Sequence, residues 1–136
     1  MASNRLCRDT SERIVILDSN AVMMLFEFSI NLDNEITYLV ENSRILVPQP
    51  VIDELKYLSL YGKGKKKKIA KPSLDLIRKY AILDIDNDLI GDDAILYLAK
   101  KHNAFVVTND KKLRKRLKDI SLRTIFLRSK NHLVLE

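Results

Sequence analysis

Carboxylates recur along this chain at positions where parallel α/β proteins place reactive groups. Asp18 and Asp110 each follow an apolar run. Glu54, Asp92 and Asp93 lie in the early turns of expected helices. Two carboxylates about 4 Å apart repel by roughly 4 kcal/mol at an effective dielectric near 20, so a set that meets in space needs a cation. Oxygen ligands without Cys or His favour Mg²⁺ or Mn²⁺ over zinc.

The segments that carry these acids alternate between strand and helix. Short aliphatic and β-branched runs are typical of strands buried on both faces. Between them, apolar residues recur at helical spacing, which predicts β-α-β crossovers and a mainly parallel sheet. The expected strands cover residues 14–17, 45–47, 81–83, 104–108, 123–127 and 133–135.

In such a sheet every β-to-α junction lies at one edge, so acids far apart in sequence are expected to meet there. Between the two neighbouring aspartates, Asp92 shares its helix face with the apolar Ile95 and Ala99, whereas Asp93 lies on the face of Tyr97. We therefore expect Asp92 to be the better metal ligand.

Helix capping is the simplest alternative for several of these residues. Asp92, Asp93 and Asp110 could each cap a helix N-terminus, which stabilises a helix by about 0.5–2 kcal/mol. Ser19 or Asn20 is the expected cap of the first helix. Capping does not explain the other two acids at the sequence level, which favours a site.

Length and composition predict one domain over residues 1–136, with residues 1–13 as a loose N-terminal lead. Consecutive lysines repel one another, so residues 61–71 are expected to form a mobile basic loop. A net charge of +6 predicts a polyanionic partner. The single cysteine, Cys7, predicts a reducing compartment. No run resembles a leader or a membrane span, so we expect a cytoplasmic protein without membrane contact.

The chain resembles PIN-domain nucleases along its length. The motifs that carry the resemblance are Asp18-Ser19-Asn20 after an aliphatic strand, Glu54 within 51–55, Asp92 followed by Ala99, and Val107-Thr108-Asn109-Asp110. The resemblance implies a three-layer α/β/α sandwich and metal-dependent cleavage of single-stranded RNA. It implies catalytic, metal-binding roles for Asp18, Glu54, Asp92 and Asp110, with Asp93 as a further candidate ligand. It implies polar support, around water or phosphate, from Ser19, Asn20, Thr108 and Asn109.

Within that family, three features are most similar to the ribosomal-RNA-processing endonucleases of archaea and eukaryotes. They are the Gly-Lys-Gly-Lys segment 62–65, the doubled Asp92-Asp93 and the ending 127–131. Ribosomal RNA is therefore the expected substrate.

Two basic segments, 63–71 and 111–118, are expected to flank the acids and contact RNA phosphates. A solvated surface is the alternative for both. Tyr57 and Tyr61 could stack on bases or serve ordinary packing. The expected RNA-binding residues are Lys63, Lys65, Lys66, Lys67, Lys68, Lys111, Lys112 and Arg114.

Two other functions do not fit the sequence. A calcium loop over 84–95 fails because Leu89 and Ile95 occupy the positions that need glycine and glutamate. An aspartate-based phosphatase would need a richer first-strand motif than Asp18-Ser19-Asn20. Two alternatives stay open: a ribonuclease toxin with an antitoxin partner, and a non-catalytic RNA-binding factor bound to pre-ribosomal proteins. A homodimer is also compatible with the sequence.

Overall fold

Residues 12–136 are described by a computed structural model, in which strands and helices alternate from the first strand onward. The strands are β1 Arg13–Leu17, β2 Ser43–Pro48, β3 Ala81–Leu83, β4 Phe105–Val107, β5 Thr124–Arg128 and β6 His132–Leu135. The helices are α1 Ser19–Glu27, α2 Leu32–Leu39, α3 Gln49–Tyr61, α4 Gly64–Ile77, α5 Gly91–His102 and α6 Lys111–Asp119.

The sheet runs in the order β3-β2-β1-β4-β5-β6, and only the β5–β6 pair is antiparallel. The strand order reverses between β1 and β4. The central strand β1 is the most deeply buried, since Val15, Ile16 and Leu17 are fully enclosed. Ligands of open α/β sheets bind outside the carboxyl ends of the strands at such a reversal.

The helices cover both faces of the sheet. The crossovers from β1 to β2 and from β2 to β3 proceed in one direction, and those from β3 to β4 and from β4 to β5 proceed in the other. With right-handed crossovers, α1 to α4 lie on one face and α5 with α6 on the opposite face. Helix α4 accordingly packs on α1 and α3, and α5 packs on α6. The predicted three-layer α/β/α sandwich is confirmed.

The prediction of a mobile basic loop over 61–71 was wrong, because most of that stretch belongs to α4. One side of this helix buries Ala70, Ser73 and Ile77, while the lysines stay on its outer side in water. Repulsion between two exposed charges in water is only about 1 kcal/mol at 4 Å, so the apolar burial outweighs it. Pro72 lies inside this helix.

The N-terminal lead is shorter than predicted where it can be compared. Residues 1–11, including Cys7, lie outside the described part of the chain. Arg13 already pairs with Ser43 as the first residue of β1. Within residues 12–136, no helix is both long and apolar enough to cross a membrane.

Candidate active site

The carboxyl ends of β1 and β4 bring the first acid of the chain beside the last. These two strands are neighbours, and the Asp18 amide donates to the Val107 carbonyl at 3.3 Å just beyond the paired residues. The side chain of Thr108, which follows β4, therefore lies next to that of Asp18. Thr108 follows Asp18 by 90 residues in the sequence, and the two side chains meet because their strands are neighbours in the sheet.

Asp18 is a buried carboxylate with a donor on each oxygen. Its Oδ1 accepts from the Ala21 amide at 2.7 Å, and its Oδ2 accepts from the Thr108 hydroxyl at 2.5 Å. Asp18 is thus the N-cap of α1, and the prediction of Ser19 or Asn20 in that role was wrong. The reason is the chain path: β1 leads into α1 with one intervening residue, so Ser19 is already helical.

The charge on Asp18 is only partly compensated. Burial raises the pKa of this carboxyl to about 6, and the hydrogen bonds from Thr108 and Ala21 offset part of that rise. The nearby carboxylates of Asp92 and Asp110 raise the pKa further. A cation at this edge would relieve both the burial and the repulsion.

Asp110 caps α6 and is joined to Asp18 through one hydroxyl group. Its carboxylate accepts from the amides of Lys112 and Leu113 at 2.8 and 3.2 Å. The Asp110 amide donates to the Thr108 oxygen at 3.1 Å, while that same hydroxyl donates to Asp18. Asp110 is therefore both the cap of α6 and a neighbour of Asp18 at the carboxyl ends of β1 and β4, which we call the acidic edge.

The neighbouring aspartates of α5 face different surroundings. The N-cap position of α5 is Ile90, which makes no side-chain cap bond, so neither aspartate is the cap. Burial and the repulsion of Asp110 raise the pKa of Asp92, while Arg116 opposes the rise. Asp93 accepts from the Arg116 guanidinium at 3.0 Å and is largely exposed. Of the two, Asp92 therefore lies nearer the acidic edge.

Glu54 lies in the second turn of α3 and is exposed. It lines a cavity of about 120 Å³ together with Asp18 and Asp92, which we call the acidic cavity. Ser19 and Asn20 also line it, so these two predicted supporting residues lie at the acids. The remaining lining residues are Pro50, Val51, Gly91 and Ile95.

Two predicted site residues have other partners. The amide group of Asn109 donates to the Leu127 carbonyl at 3.1 Å and accepts from the Leu127 amide at 2.7 Å, which ties the end of β4 to β5. Arg114 lies 3.9 Å from the centre of the Phe126 ring and pairs with Glu136 at 2.8 Å. Both side chains hold the fold, and no local pattern shows this because their partners are 12 to 22 residues away.

The other expected RNA-binding lysines lie on the surface. Lys111 and Lys112 open α6 beside the acidic edge and are exposed. Lys65 forms an ion pair with Glu27 at the end of α1. The remaining exposed lysines of the set are Lys63, Lys66, Lys67 and Lys68.

The start of α4 lies toward the carboxyl edge of the sheet. Glu27, which pairs with Lys65, is followed by Phe28, whose ring lies 5.6 Å from the Lys130 ammonium. Lys130 belongs to the turn between β5 and β6, and that turn extends from the carboxyl end of β5. The basic start of α4 is therefore connected, through α1, to the same edge as the acids.

Sequence reasoning missed Arg116 and the linking role of Thr108. Arg116 supplies the positive charge next to Asp92 and Asp93, although it is 23 residues from the latter. A basic residue in an already basic helix gives no local signal of this partnership. The Val-Thr-Asn-Asp motif did mark Thr108 as polar support, but not as a link between two acids.

The donor set suits a hard divalent ion that is completed from outside the protein. Within residues 12–136, no three Asp, Glu, His or Cys side chains are grouped closely enough to hold one ion. Mg²⁺ is characteristically bound by one or two carboxylates, several waters and substrate phosphates. Burial first, and the repulsion of neighbouring carboxylates second, raise the pKa of both Asp18 and Asp92, and a bound cation would relieve that repulsion.

Comparisons with known proteins identify the family of this chain. A family model described as PIN like domain matches residues 15–130. The chain is 31% identical over 122 residues to Ribonuclease VapC4 of Methanocaldococcus jannaschii, covering 87% of this chain and 92% of that protein. It is 25% identical over 131 residues to Ribonuclease VapC9 of Archaeoglobus fulgidus, covering 95% and 93%.

Among solved structures, the PIN domain endonuclease Utp24 superposes with a TM-score of 0.76 at 20% identity, with 90% of each chain covered. At 20% identity, this similarity shows the fold alone. Since the family match spans most of the sequence and the relatives are covered almost completely, the chain belongs to the PIN-like domain family, as its motifs predicted.

Proposed function

We propose that this protein is a divalent-metal-dependent endoribonuclease that cleaves single-stranded RNA. The observation that carries the proposal is the edge between β1 and β4, where the Thr108 hydroxyl donates to the carboxylate of Asp18 and accepts from the backbone amide of Asp110, so that both acids are held at one place. Asp92 repels both of these acids. Two curated relatives that cover almost the whole chain are named ribonucleases, which supports RNA as the substrate.

Each acid has its own part in this proposal. Asp18 and Asp110 are held in place by helix-capping bonds, so they would fix one side of a metal site. Asp92 and Glu54 line the opposite side, and Asp93 stays a weaker candidate because Arg116 occupies it. A bound Mg²⁺ or Mn²⁺ would supply the charge that activates water and stabilises the leaving oxygen.

The exposed lysines would hold the RNA backbone beside the acids. Lys111 and Lys112 are nearest to Asp110 in sequence, and the start of α4 adds a second basic surface. Such contacts weaken as salt rises, with a slope of about 0.7 per neutralised phosphate on a single strand. Arg114 is left out of this surface because it is held by Glu136.

Ribosomal RNA processing remains our proposal for the biological role, because the features at 62–65, 92–93 and 127–131 resemble those of ribosomal-RNA-processing endonucleases. The toxin alternative is favoured by a specific observation, since the two curated relatives are VapC ribonucleases. An antitoxin or a second copy of the chain are the partners to test for the toxin role. We place the activity in the cytoplasm.

The test is cleavage of single-stranded RNA by the purified protein with Mg²⁺, with Mn²⁺ and with EDTA. We expect metal-dependent internal cleavage that falls by about 100-fold or more in Asp18→Asn and Asp110→Asn, since even residues that support metal ligands cost 10–100-fold. Asparagine caps helices as well as aspartate, so both variants should stay folded. Unchanged cleavage in both folded variants would contradict the assignment.

The two biological roles differ in substrate and in effect on cells. Mapping of cleavage sites on ribosomal RNA fragments and on unrelated RNA tests the first. Growth arrest on expression, absent with Asp18→Asn and relieved by a gene neighbour, would support the toxin role.

A further inference from the structure

A second cavity, of about 700 Å³, adjoins the acidic cavity. It lies between α3 and the loop that joins β3 to α5. The two cavities share Pro50, Glu54 and Gly91 in their linings, so they border one another along these residues. We call the larger one the loop cavity. A nucleotide chain with one phosphate at the acids would therefore have the loop cavity beside it.

Two large apolar surfaces in the loop cavity are left open to solvent. Tyr57 is 61% exposed and Ile90 is 77% exposed. The Tyr57 ring is supported from one side by the Tyr61 ring, whose centre lies 5.2 Å away. Isoleucine is a poor residue for the N-cap position that Ile90 occupies, and it makes no cap bond there. Neither exposure is explained by the stability of the fold.

The hydrogen-bonding groups of the loop cavity are mostly acceptors, and the carboxylates of Glu54 and Asp88 have no partner within residues 12–136. Asp53 accepts from Gln49 at 2.8 Å, and Asn87 accepts from the Leu89 amide at 3.0 Å. Asp88 is exposed and has no hydrogen bond or ion pair with another residue of the range 12–136. Both oxygens of its carboxylate are therefore available to a ligand.

This combination selects the base of a nucleotide over its phosphate. Carboxylates at Asp53, Glu54 and Asp88 repel a phosphate, whereas an uncharged base can enter. Unstacked RNA bases are recognised by aromatic stacking together with hydrogen bonds to the Watson–Crick edge. Guanine presents two neighbouring N–H donors on that edge, which match the two oxygens of one carboxylate.

We propose, resting on the ribonuclease function above, that the loop cavity binds a guanine base next to the cleaved phosphate. Tyr57 stacks on the base, Ile90 covers its other side, and Asp88 accepts from its N1–H and N2–H groups. This makes Asp88 the residue that sets base preference.

Cleavage of matched single-stranded oligonucleotides tests the proposal. Each would carry one guanosine in an otherwise uniform sequence, with inosine in its place in the comparison, because inosine lacks the amino group at position 2. We expect kcat/KM to fall by about tenfold or more from guanosine to inosine, since a site built to bind a group rejects the analogue without it.

Two variants test whether Asp88 is the source of this preference for guanosine. In Asp88→Asn the ratio of guanosine to inosine cleavage should fall to about one, because an amide replaces one acceptor with a donor. Asp84→Asn is the matched control, since Asp84 lies on the same loop but outside the cavity lining, and it should keep the wild-type ratio.

The outcomes separate this proposal from the one it rests on. Cleavage without base preference, or a preference that Asp88→Asn leaves intact, would overturn the guanine site. Such a result would favour a cationic protein segment as the occupant. Absence of any cleavage would overturn the ribonuclease function instead. Shifts of the Tyr57 ring signals on titration with guanosine monophosphate, lost in Asp88→Asn, report on the cavity without any cleavage.

Discussion

The two sides of the acidic edge are built in different ways. On the buried side, the enclosed Asp18 and Thr108 and the half-buried Asp110 are linked by hydrogen bonds, and the two aspartates also cap α1 and α6. On the open side, Glu54 and Asp92 are placed only by the helices that carry them, and neither makes a side-chain hydrogen bond within the described range 12–136. The buried side is preorganised, while the open side is free to adjust.

The difference has a physical reason. A buried carboxylate must be hydrogen-bonded or paired, because an isolated charge away from water costs several kcal/mol. An exposed carboxylate keeps its water and needs no partner. In the proposed function, the buried side would therefore fix the position of an ion, and the open side would complete the site when the ion and RNA bind.

The largest effect should be the dependence of stability on pH. Without metal, Asp18 takes up a proton more readily in the folded protein, where its pKa is about 6, than in the unfolded chain, where it is near 3.8. The stabilisation that the folded protein gains from this tighter proton binding is fully present below about pH 4 and is lost as pH rises through 6. The shift corresponds to about 3 kcal/mol. Urea unfolding in EDTA across this range measures it.

The control is Asp18→Asn, which retains a cap but cannot ionise. We expect the wild type to lose stability relative to this variant as pH rises from 4 to 7. Parallel curves for the two proteins would show that the pKa of Asp18 is not raised in the folded protein. The contrast between the two sides of the acidic edge would then be wrong.

Removal of the linking hydroxyl should be the next largest effect. Thr108→Val leaves one Asp18 oxygen and the Asp110 amide without their partner inside the protein, which costs about 1–3 kcal/mol. It should also raise the pKa of Asp18 further, because the hydroxyl lowers it now. Chemical unfolding at pH 7 measures the loss, and Thr108→Ser, which keeps the hydroxyl, should lose less.

On the open side, removal of a carboxylate should not lower the stability of the protein, in contrast to Thr108→Val on the buried side. In EDTA at pH 7, Asp92→Asn should leave the protein as stable or stabilise it by up to about 1 kcal/mol, because it removes repulsion with Asp110 and no cap bond. Asp93→Asn should instead lose a little stability, since it gives up Arg116. Melting temperatures compare the two, and a clear fall in Asp92→Asn would indicate a structural role.

The smallest effect on stability is expected at Glu54. Glu54→Gln should change the free energy of unfolding by less than about 0.5 kcal/mol, as is usual for exposed residues. Metal-dependent cleavage should nevertheless fall, because the open side then lacks a charge. If cleavage is unchanged, Glu54 lines the cavity without serving the reaction.

Much of this architecture could be predicted from local pattern. The aliphatic runs at 14–17 and 45–47 correspond to β1 and β2, because a strand buried on both faces needs consecutive apolar residues. The run 81–83 corresponds to β3, which is a largely exposed edge strand. The lysine run was misjudged as a loop, since its buried residues Ala70 and Ser73 are small and give a weak helical signal.

The partners of individual side chains were less accessible. Asn109 was expected at the acids and binds Leu127 instead, and Asp18 was not expected to cap a helix. The cap depends on where β1 ends and α1 begins, which local patterns locate only to within one or two residues. The contact of Asn109 with Leu127 depends on which strand lies beside which. Local sequence carries no information about such neighbours.

By itself, the sequence determined that acids follow apolar strands, that the sheet is mainly parallel and that a basic surface accompanies it, because residue type and periodicity act locally. Only the tertiary structure placed β4 beside β1, joined Asp18 to Asp110 through Thr108 and separated Asp92 from Asp93. The reason is that strand order and side-chain partnership arise from packing between residues far apart in the chain, which no spacing along it records.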